Sequence, residues 1–331
     1  LTRLHQEIRR TIRRHGLCPP GTRLLVGLSG GSDSVALLFL MKELAASDGF
    51  TLTSLAHLNH RLRASSAHDE QFCRALAVEA GIPIVVESID VAAYAQSQRL
   101  SIEDAARRLR YDFLHRAAGT TGADRIAVGH TRDDQAETFL LKLIRGAGLT
   151  GLGGIYPRRE NVVRPLLSVS RAELRAYLET RGQTWVEDET NAELENPRNR
   201  IRHRVLPELE RAYGGDVSQA IARAAAIVRE DGQWLEELAG RRFDALVHRD
   251  GRRLEIELKA LEAEPIPVRR RVVRNALRLA AAGREIGLDH VEAALDVAAG
   301  DSAGVDVPGS RVELRAGKLV LVSRHPDREP S

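Results

Sequence analysis

The chain has 331 residues, 43% of them hydrophobic, and a formal net charge of +3. That length permits a sizeable core and two domains, and a charge so near balance does not by itself indicate a nucleic-acid partner. The longest strongly apolar stretch, Val35–Met41, is too short to span a membrane, and LTRLHQEIRRTIRRHGL at the start holds no apolar signal-peptide core. The two cysteines, Cys18 and Cys73, offer no disulfide framework, zinc pattern or iron–sulfur spacing, so a reducing, cytoplasmic setting is expected.

The first informative segment is LLVGL (Leu24–Leu28), short and apolar as a buried strand is. SGGSDS (Ser29–Ser34) follows, then VALLFLMKEL (Val35–Leu44), which is long enough to open a helix. A glycine-rich turn between strand and helix suits a phosphate, because free N–H groups and the helix dipole favour an anion there. The lysine of a P-loop is missing, and the glycine spacing is not the dinucleotide fingerprint. Asp33 would repel a phosphate unless a divalent cation stood between them. Mg²⁺ takes one or two carboxylates plus phosphate oxygens, which makes Asp33 the candidate metal-side ligand. The plainer reading is a serine-capped helix after a tight turn; the full string favours function.

Strand-like segments at Leu24–Leu28, Leu52–Leu58, Ile82–Ile89 and Arg125–Val128 alternate with helix-like ones at Val35–Ala46, Ala67–Ala80, Ile102–Ala118 and Ala136–Arg145. Alternation of this kind predicts a parallel sheet with crossover helices, and ligands bind beyond the carboxyl ends of such strands. Three of those ends carry polar clusters: SGGSDS, HLNHRLR (His57–Arg63) and GHTRDDQAE (Gly129–Glu137). His57, Asn59 and His60 suit a nucleotide contact, a metal, or plain loop and cap chemistry, though HxNH is not a common metal spacing and no third ligand is evident. In Glu103–Ala118, Arg107, Arg110 and Tyr111 lie partly off an apolar stripe and read equally as a solvated face or a functional one. Asp134 and Glu137, at i,i+3, share a helix face with Asp133. Such acids satisfy the helix dipole, but three exceed what capping needs, and paired carboxylates suit a cationic amine and its proton.

Further on, Gly146–Leu167 reads as a Gly- and Pro-rich loop, Ser170–Gly182 as a helix capped by Ser170 with Glu173, and Thr190–Arg200 as another loop. RNRIRHR (Arg198–Arg204) carries four arginines, and PVRRRVVRNALR (Pro267–Arg278) five, with no acid in either. Both are candidate phosphate contacts, or else solvated helix faces. Pro207 disfavours helix at Leu206, so the first cluster is expected to span a loop and a helix start. Composition turns Ala-, Arg- and Leu-rich beyond Tyr213–Asp216, where a domain boundary is placed, and Arg311–Val322 reads as a hairpin around Ala316–Gly317.

SGGSDS resembles the pyrophosphate-loop signature of N-type ATP pyrophosphatases, which cleave ATP between its α and β phosphates. With HLNHRLR, EDAARRLRYDFL, GHTRDDQAETFLLKLIRGAG and RNRIR ahead of Pro207, the chain resembles the tRNA(Ile)-lysidine synthetase family over most of residues 20–210. Residues 216–323 resemble that family's smaller second domain more loosely. The resemblance implies a Rossmann-like parallel sheet with helices on both faces over residues 1–215. A smaller, mainly helical tRNA-binding or dimerisation domain with a terminal β-hairpin is expected over 216–331. A further C-terminal domain of longer members is expected to be missing.

The implied activity is ligation of free lysine to carbon 2 of the wobble cytidine of a CAU-anticodon tRNA(Ile). It runs through an adenylated tRNA, with ATP and Mg²⁺ as cofactors. On that footing ATP goes to Ser29, Gly30, Gly31, Ser32, Asp33 and Ser34, Mg²⁺ to Asp33, and the adenosine to His57 and Asn59. Lysine goes to Asp134 and Glu137, with Asp188 as the next candidate. Arg107, Arg198 and Arg202 are expected at phosphate or tRNA. No membrane partner is expected, and a homodimer is a further expectation. The alternative is a tRNA thiolase of the same superfamily. Such enzymes use paired cysteines or an iron–sulfur cluster, and Cys18 and Cys73 form no CxxC.

Overall fold

The computed structural model describes residues 2–62, 66–187 and 196–324, so Asp188 lies outside the described residues. The chain divides into two compact units, residues 1–228 and 229–331.

In the first unit, α1 (Arg3–Arg14) precedes β1 (Arg23–Gly27), α2 (Ser32–Asp48), β2 (Thr51–Asn59), α3 (Ser66–Ala80) and β3 (Ile84–Ser88). Next come α4 (Val91–Gln98), α5 (Ile102–Thr121), β4 (Arg125–Ala127), α6 (Arg132–Ile144) and α7 (Leu149–Leu152). The unit continues through β5 (Arg158–Arg159), β6 (Val162–Val163), α8 (Arg171–Thr180), α9 (Pro197–Arg200) and α10 (Leu206–Tyr213). The long α11 (Val217–Leu246) starts beside the boundary expected at residue 216 and crosses the division between the units.

The sheet order is β3-β2-β1-β4-β6-β5. All pairings are parallel except that of β5 with β6, which makes β5 an antiparallel edge. Both faces of the sheet are covered because side chains alternate along each strand. In β1, Leu24 and Val26 join the core formed with α1, α2, α3 and α8, whereas Leu25 joins the one formed with α4 and α5. The chain runs outward from β1 through β2 to β3, then returns to place β4 on the other side of β1. The carboxyl ends of β1 and β4 therefore flank the topological switch point. SGGSDS follows the first and GHTRDD the second.

Caps fix where the helices begin. Ser101 accepts from the Asp104 N–H to start α5, and Ser170 with Glu173 forms the expected capping box on α8. Sequence periodicity did not reveal α4, β5 or β6, the last two within the stretch read as a loop. Two-residue strands carry no period to read. The arginine cluster does not span the expected loop and helix start: the backbone stays helical from α9 through a wide π-turn, Ile201–Val205, into α10. Leu206 is helical (φ −60°, ψ −48°) despite Pro207, because the proline sits in the first turn of α10, where a missing N–H costs least.

The second unit carries β7 (Val247–Asp250), β8 (Arg253–Glu257), α12 (Leu258–Glu262), α13 (Ile266–Ala280), α14 (Leu288–Ala299), β9 (Gly304–Val307), β10 (Ser310–Arg315) and β11 (Lys318–Ser323). The expected hairpin is β10–β11, turning at Ala316 (φ 49°) and Gly317 (φ 77°). It belongs to a larger antiparallel sheet of order β7-β8-β11-β10-β9, packed on α13 and α14 through Val272, Val273, Leu277, Val291, Leu319 and Leu321. On α13, Arg271 and Arg274 pair with Glu236 and Arg270 with Glu292. Much of that cluster's charge is thus matched within the unit. No described helix is long and apolar enough to cross a membrane.

Candidate active site

A cavity of about 1220 Å³ opens at the switch point. Its walls come from SGGSDS, the end of β2, the face of α5, the start of α6, the start of α8 and the arginine-rich helix.

The loop is built for close approach. Gly30 has φ +90°, and a Cβ there would meet Cys73 Sγ and Val186 Cγ2, each at 3.4 Å. The Gly30 carbonyl accepts from the Val186 N–H (2.9 Å), which ties residues 185–187 across the loop. Ser34 closes the turn by donating to the Gly31 carbonyl (2.9 Å) and accepting from the Ser29 N–H (3.1 Å). Gly31 is the N-cap of α2, so the N–H groups of Ser32 and Asp33 fall in its first turn, which the helix leaves unpaired. From the other side, Gly129 lies against the loop backbone. A Cβ at Gly129 would stand 3.1 Å from the Asp33 carbonyl carbon and oxygen.

Asp33 accepts from Arg171 Nε (3.1 Å) and from the Ser32 hydroxyl (3.3 Å). Burial pushes its carboxyl above the ordinary value; Arg171 opposes that shift and nearby Asp134 adds to it. Asp134 lies one element away. Its Oδ2 accepts from the Thr131 N–H (2.8 Å) and hydroxyl (3.0 Å), the capping box of α6. Its Oδ1 accepts from Arg171 and Arg198, each at 3.2 Å. Burial raises the Asp134 carboxyl, but Arg198 and Arg171 outweigh it and hold the group below its usual range.

Glu137, one turn further along α6, has a side chain with 0% exposure. Its Oε2 accepts from Arg198 Nε (2.7 Å) and its Oε1 from Arg202 Nε (2.6 Å). Arg198 and Arg202 are one turn apart on the continuous helical path, so both reach the same carboxylate. Arg171, at the start of α8, completes a cluster of three carboxylates and three guanidinium groups. Its backbone N–H donates to Asp133 Oδ2 (2.8 Å), fixing the start of α8 on the start of α6.

Four histidines line the same cavity, His57, His60, His130 and His203. His57 Nδ1 lies 2.9 Å from the Leu28 carbonyl, which can only accept, so Nδ1 carries the proton. Its Nε2 is buried without a hydrogen-bond partner among the described residues. Burial lowers the pKa of His57 despite the Leu28 contact. His130 is lowered more, by burial and by the guanidinium groups of Arg164, Arg198 and Arg110 acting against Asp134.

A PP-loop domain family matches residues 2–209. A curated tRNA(Ile)-lysidine synthase from Symbiobacterium thermophilum is 37% identical, over 99% of this chain and 70% of that protein. The chain belongs to the tRNA(Ile)-lysidine synthase family. The synthase of Geobacter sulfurreducens is 39% identical over 87% of this chain and 62% of its own length. That of Thermus thermophilus is 42% identical over 78% of this chain and 49% of its own. The chain thus spans between 49% and 70% of the length of these relatives. Among solved structures, a U34-tRNA thiolase from Methanococcus maripaludis superposes with a TM-score of 0.55 at 18% identity, covering 68% of this chain and 78% of that one. The likeness is one of fold.

Within this lysidine synthase family member, Ser29, Gly31, Ser32, Asp33, Ser34, His57, Asn59, Asp134, Arg198 and Arg202 all line the cavity; Gly30 and Glu137 are not in the lining, and Glu137 meets it through its ion pairs to Arg198 and Arg202. The Asn59 amide is engaged with the Ser66 carbonyl and Glu70 and accepts from the Arg61 N–H, so it shapes the loop after β2. Arg107 is exposed, with its guanidinium 5.6 Å from the Tyr111 ring, and is not part of the wall. Arg110 is part of it, and makes no hydrogen bond or ion pair among the described residues. Sequence reading singled out Arg107, yet Ala106 and Phe113, three or four residues from Arg110, line the cavity beside it. Arg171 was missed because nothing local marks it: its partners lie 37 and 138 residues away in sequence.

Proposed function

We propose that this chain ligates free lysine to carbon 2 of the wobble cytidine of a CAU-anticodon tRNA(Ile), with ATP converted to AMP and pyrophosphate. The observation that carries the reading is one cavity in which a pyrophosphate loop and a balanced acid–arginine cluster stand side by side. The cytidine carbonyl oxygen attacks the α-phosphorus of ATP, and pyrophosphate leaves into the N–H groups of the SGGSDS loop. The ε-amine of lysine then attacks carbon 2, and AMP departs with that oxygen.

Lysine brings two ammonium groups and a carboxylate. A cluster of Asp33, Asp134 and Glu137 with Arg171, Arg198 and Arg202 admits it by exchange of partners, carboxylate to guanidinium and ammonium to carboxylate. No buried charge is then left alone. Asp134 and Glu137 hold the cation, and a carboxylate there accepts the proton that the ε-ammonium sheds. Arg110, without a partner in the cavity wall, is placed for a phosphate of ATP or of the adenylate. His57 and the end of β2 form the adenosine side.

The residues fit Mg²⁺. Asp33 is the carboxylate carried by the anion loop itself, its pKa raised by burial, and no cluster of three metal-type side chains exists among the described residues. That suits a cation arriving with phosphates rather than one caged by protein. When bound, Mg²⁺ supplies charge neutralisation on the departing pyrophosphate.

The thiolase alternative asks for reactive cysteines. Cys18 and Cys73 are both buried, and burial pushes each thiol up to about 12, where nucleophilic thiolate is scarce. Mass spectrometry of nucleosides from a CAU-anticodon tRNA(Ile) transcript, after incubation with ATP, Mg²⁺ and lysine, tests the proposal. Lysidine is the expected product. Sulfur incorporation, or an unmodified cytidine, refutes it.

A further inference from the structure

Arg171 is held by three carboxylates from two elements. Its Nε donates to Asp33 Oδ2 (3.1 Å), one terminal nitrogen donates to Asp134 Oδ1 (3.2 Å), and the other lies 3.8 Å from Glu137 Oε1. These acids do not depend on it equally. Asp134 retains Thr131 and Arg198 without it, and Glu137 retains Arg198 and Arg202. Asp33 retains only the Ser32 hydroxyl among the described residues. The counter-ion of the phosphate-loop carboxylate is therefore a guanidinium carried by α8, and its Nε is bonded to one of the two Asp33 oxygens, Oδ2.

Two cations at bonding distance to one carboxylate oxygen repel each other, and between partly buried groups such as these that repulsion is screened less than at an open surface. Phosphate oxygens remove the conflict, because a guanidinium pairs with phosphate at least as well as with carboxylate. We infer that the Arg171 guanidinium is the resident counter-cation of Asp33, and that a divalent cation gains this carboxylate only as phosphate draws the guanidinium away. The inference rests on the reading of Asp33 as the metal-side carboxylate. Arg171 also bonds Asp134 Oδ1, which anchors it to α6 independently of Asp33. Metal and phosphate affinities are then reciprocally linked through one side chain.

The test is a Mn²⁺ titration of the nucleotide-free chain followed by electron paramagnetic resonance. Wild type should bind Mn²⁺ weakly, and Arg171→Met at least about tenfold more tightly, because a competing unit charge is gone. Arg171→Lys, which keeps the charge, should stay near wild type. Should Arg171→Met fail to fold, Arg171→Gln removes the charge while keeping an N–H donor and is read the same way. Equal or weaker Mn²⁺ binding in the charge-free variant overturns the inference. Asp33→Asn separates the two levels. If it leaves Mn²⁺ binding in the presence of pyrophosphate unchanged, the reading of Asp33 fails and the inference with it. If it abolishes that binding while Arg171→Met matches wild type, only the inference fails.

Discussion

Arg202 Nε donates to Glu137 Oε1 at 2.6 Å, and Arg198 Nε grips the other oxygen at 2.7 Å. A carboxylate with no exposed surface is thereby held by two arginines of one helix. Removing its charge should have two separable effects. Glu137→Gln should cost on the order of 3–5 kcal/mol of stability, the typical result of breaking a buried pair from one side. It should also raise the lysine concentration for half-maximal product by about ten- to a hundredfold, the value of a charge-assisted bond. Adding Arg202→Gln should restore stability, measured by denaturant unfolding, without restoring lysine affinity. Recovery of both would reduce Glu137 to an anchor for the helix.

The arginines of RNRIRHR should divide by direction. Arg204 is exposed on the π-turn, whereas Arg202 is turned onto Glu137. Arg204→Ala should flatten the salt dependence of tRNA binding by about 0.9 units of slope for duplex contact, or about 0.7 for single strand. Arg202→Ala should leave the slope alone and act on lysine dependence. Equal slope changes in both would place Arg202 at the phosphate backbone.

Asp33 should cost the nucleotide-free fold some stability. Burial raises its folded-state pKa above the ordinary 3.8. Such a group favours the fold below 3.8, and that contribution is lost as pH rises through the raised value. In chelator and without nucleotide, Asp33→Asn should be at least as stable as wild type at pH 7. Its advantage should shrink as pH falls toward 4. Thermal unfolding across that range checks the sign, and a constant deficit for the variant would contradict it. The same variant should not release pyrophosphate.

Gly129→Ala should disturb nucleotide use without unfolding β4. Its new Cβ would lie 3.1 Å from the Asp33 carbonyl and 3.2 Å from the Ser34 nitrogen, so the phosphate loop must give way. A shift of that kind costs on the order of ten- to a hundredfold in ATP use. Steady-state kinetics with ATP varied would show it, and unchanged kinetics would mean the loop adapts freely.

The parallel sheet and the loops at its carboxyl edge were legible because each depends on a local pattern: an apolar run, a glycine pair, a capping residue. SGGSDS was legible as a candidate anion site because its glycines, its free N–H groups and the dipole of the helix that follows are all local features. The role of Arg171 could not be seen that way, since its meaning lies in Asp33 and Asp134, brought to it by the order of strands. The inward turn of Arg198 and Arg202 was hidden for a related reason. Pro207 suggested a break, yet a π-turn carried the helix through and set both arginines on one face. In the second unit, β7, β8 and β9 escaped notice because short strands joined to a hairpin register only through pairing, as of β8 with β11.

The most direct test of the central claim omits one substrate. The chain is incubated with ATP, Mg²⁺ and a CAU-anticodon tRNA(Ile) without lysine, and pyrophosphate release and tRNA mass are followed. The expected result is pyrophosphate release and a tRNA heavier by one adenylate, which lysine then converts to lysidine with release of AMP. Pyrophosphate release that needs lysine but not tRNA would contradict the account, because the activated group would then be the lysine carboxylate rather than the cytidine.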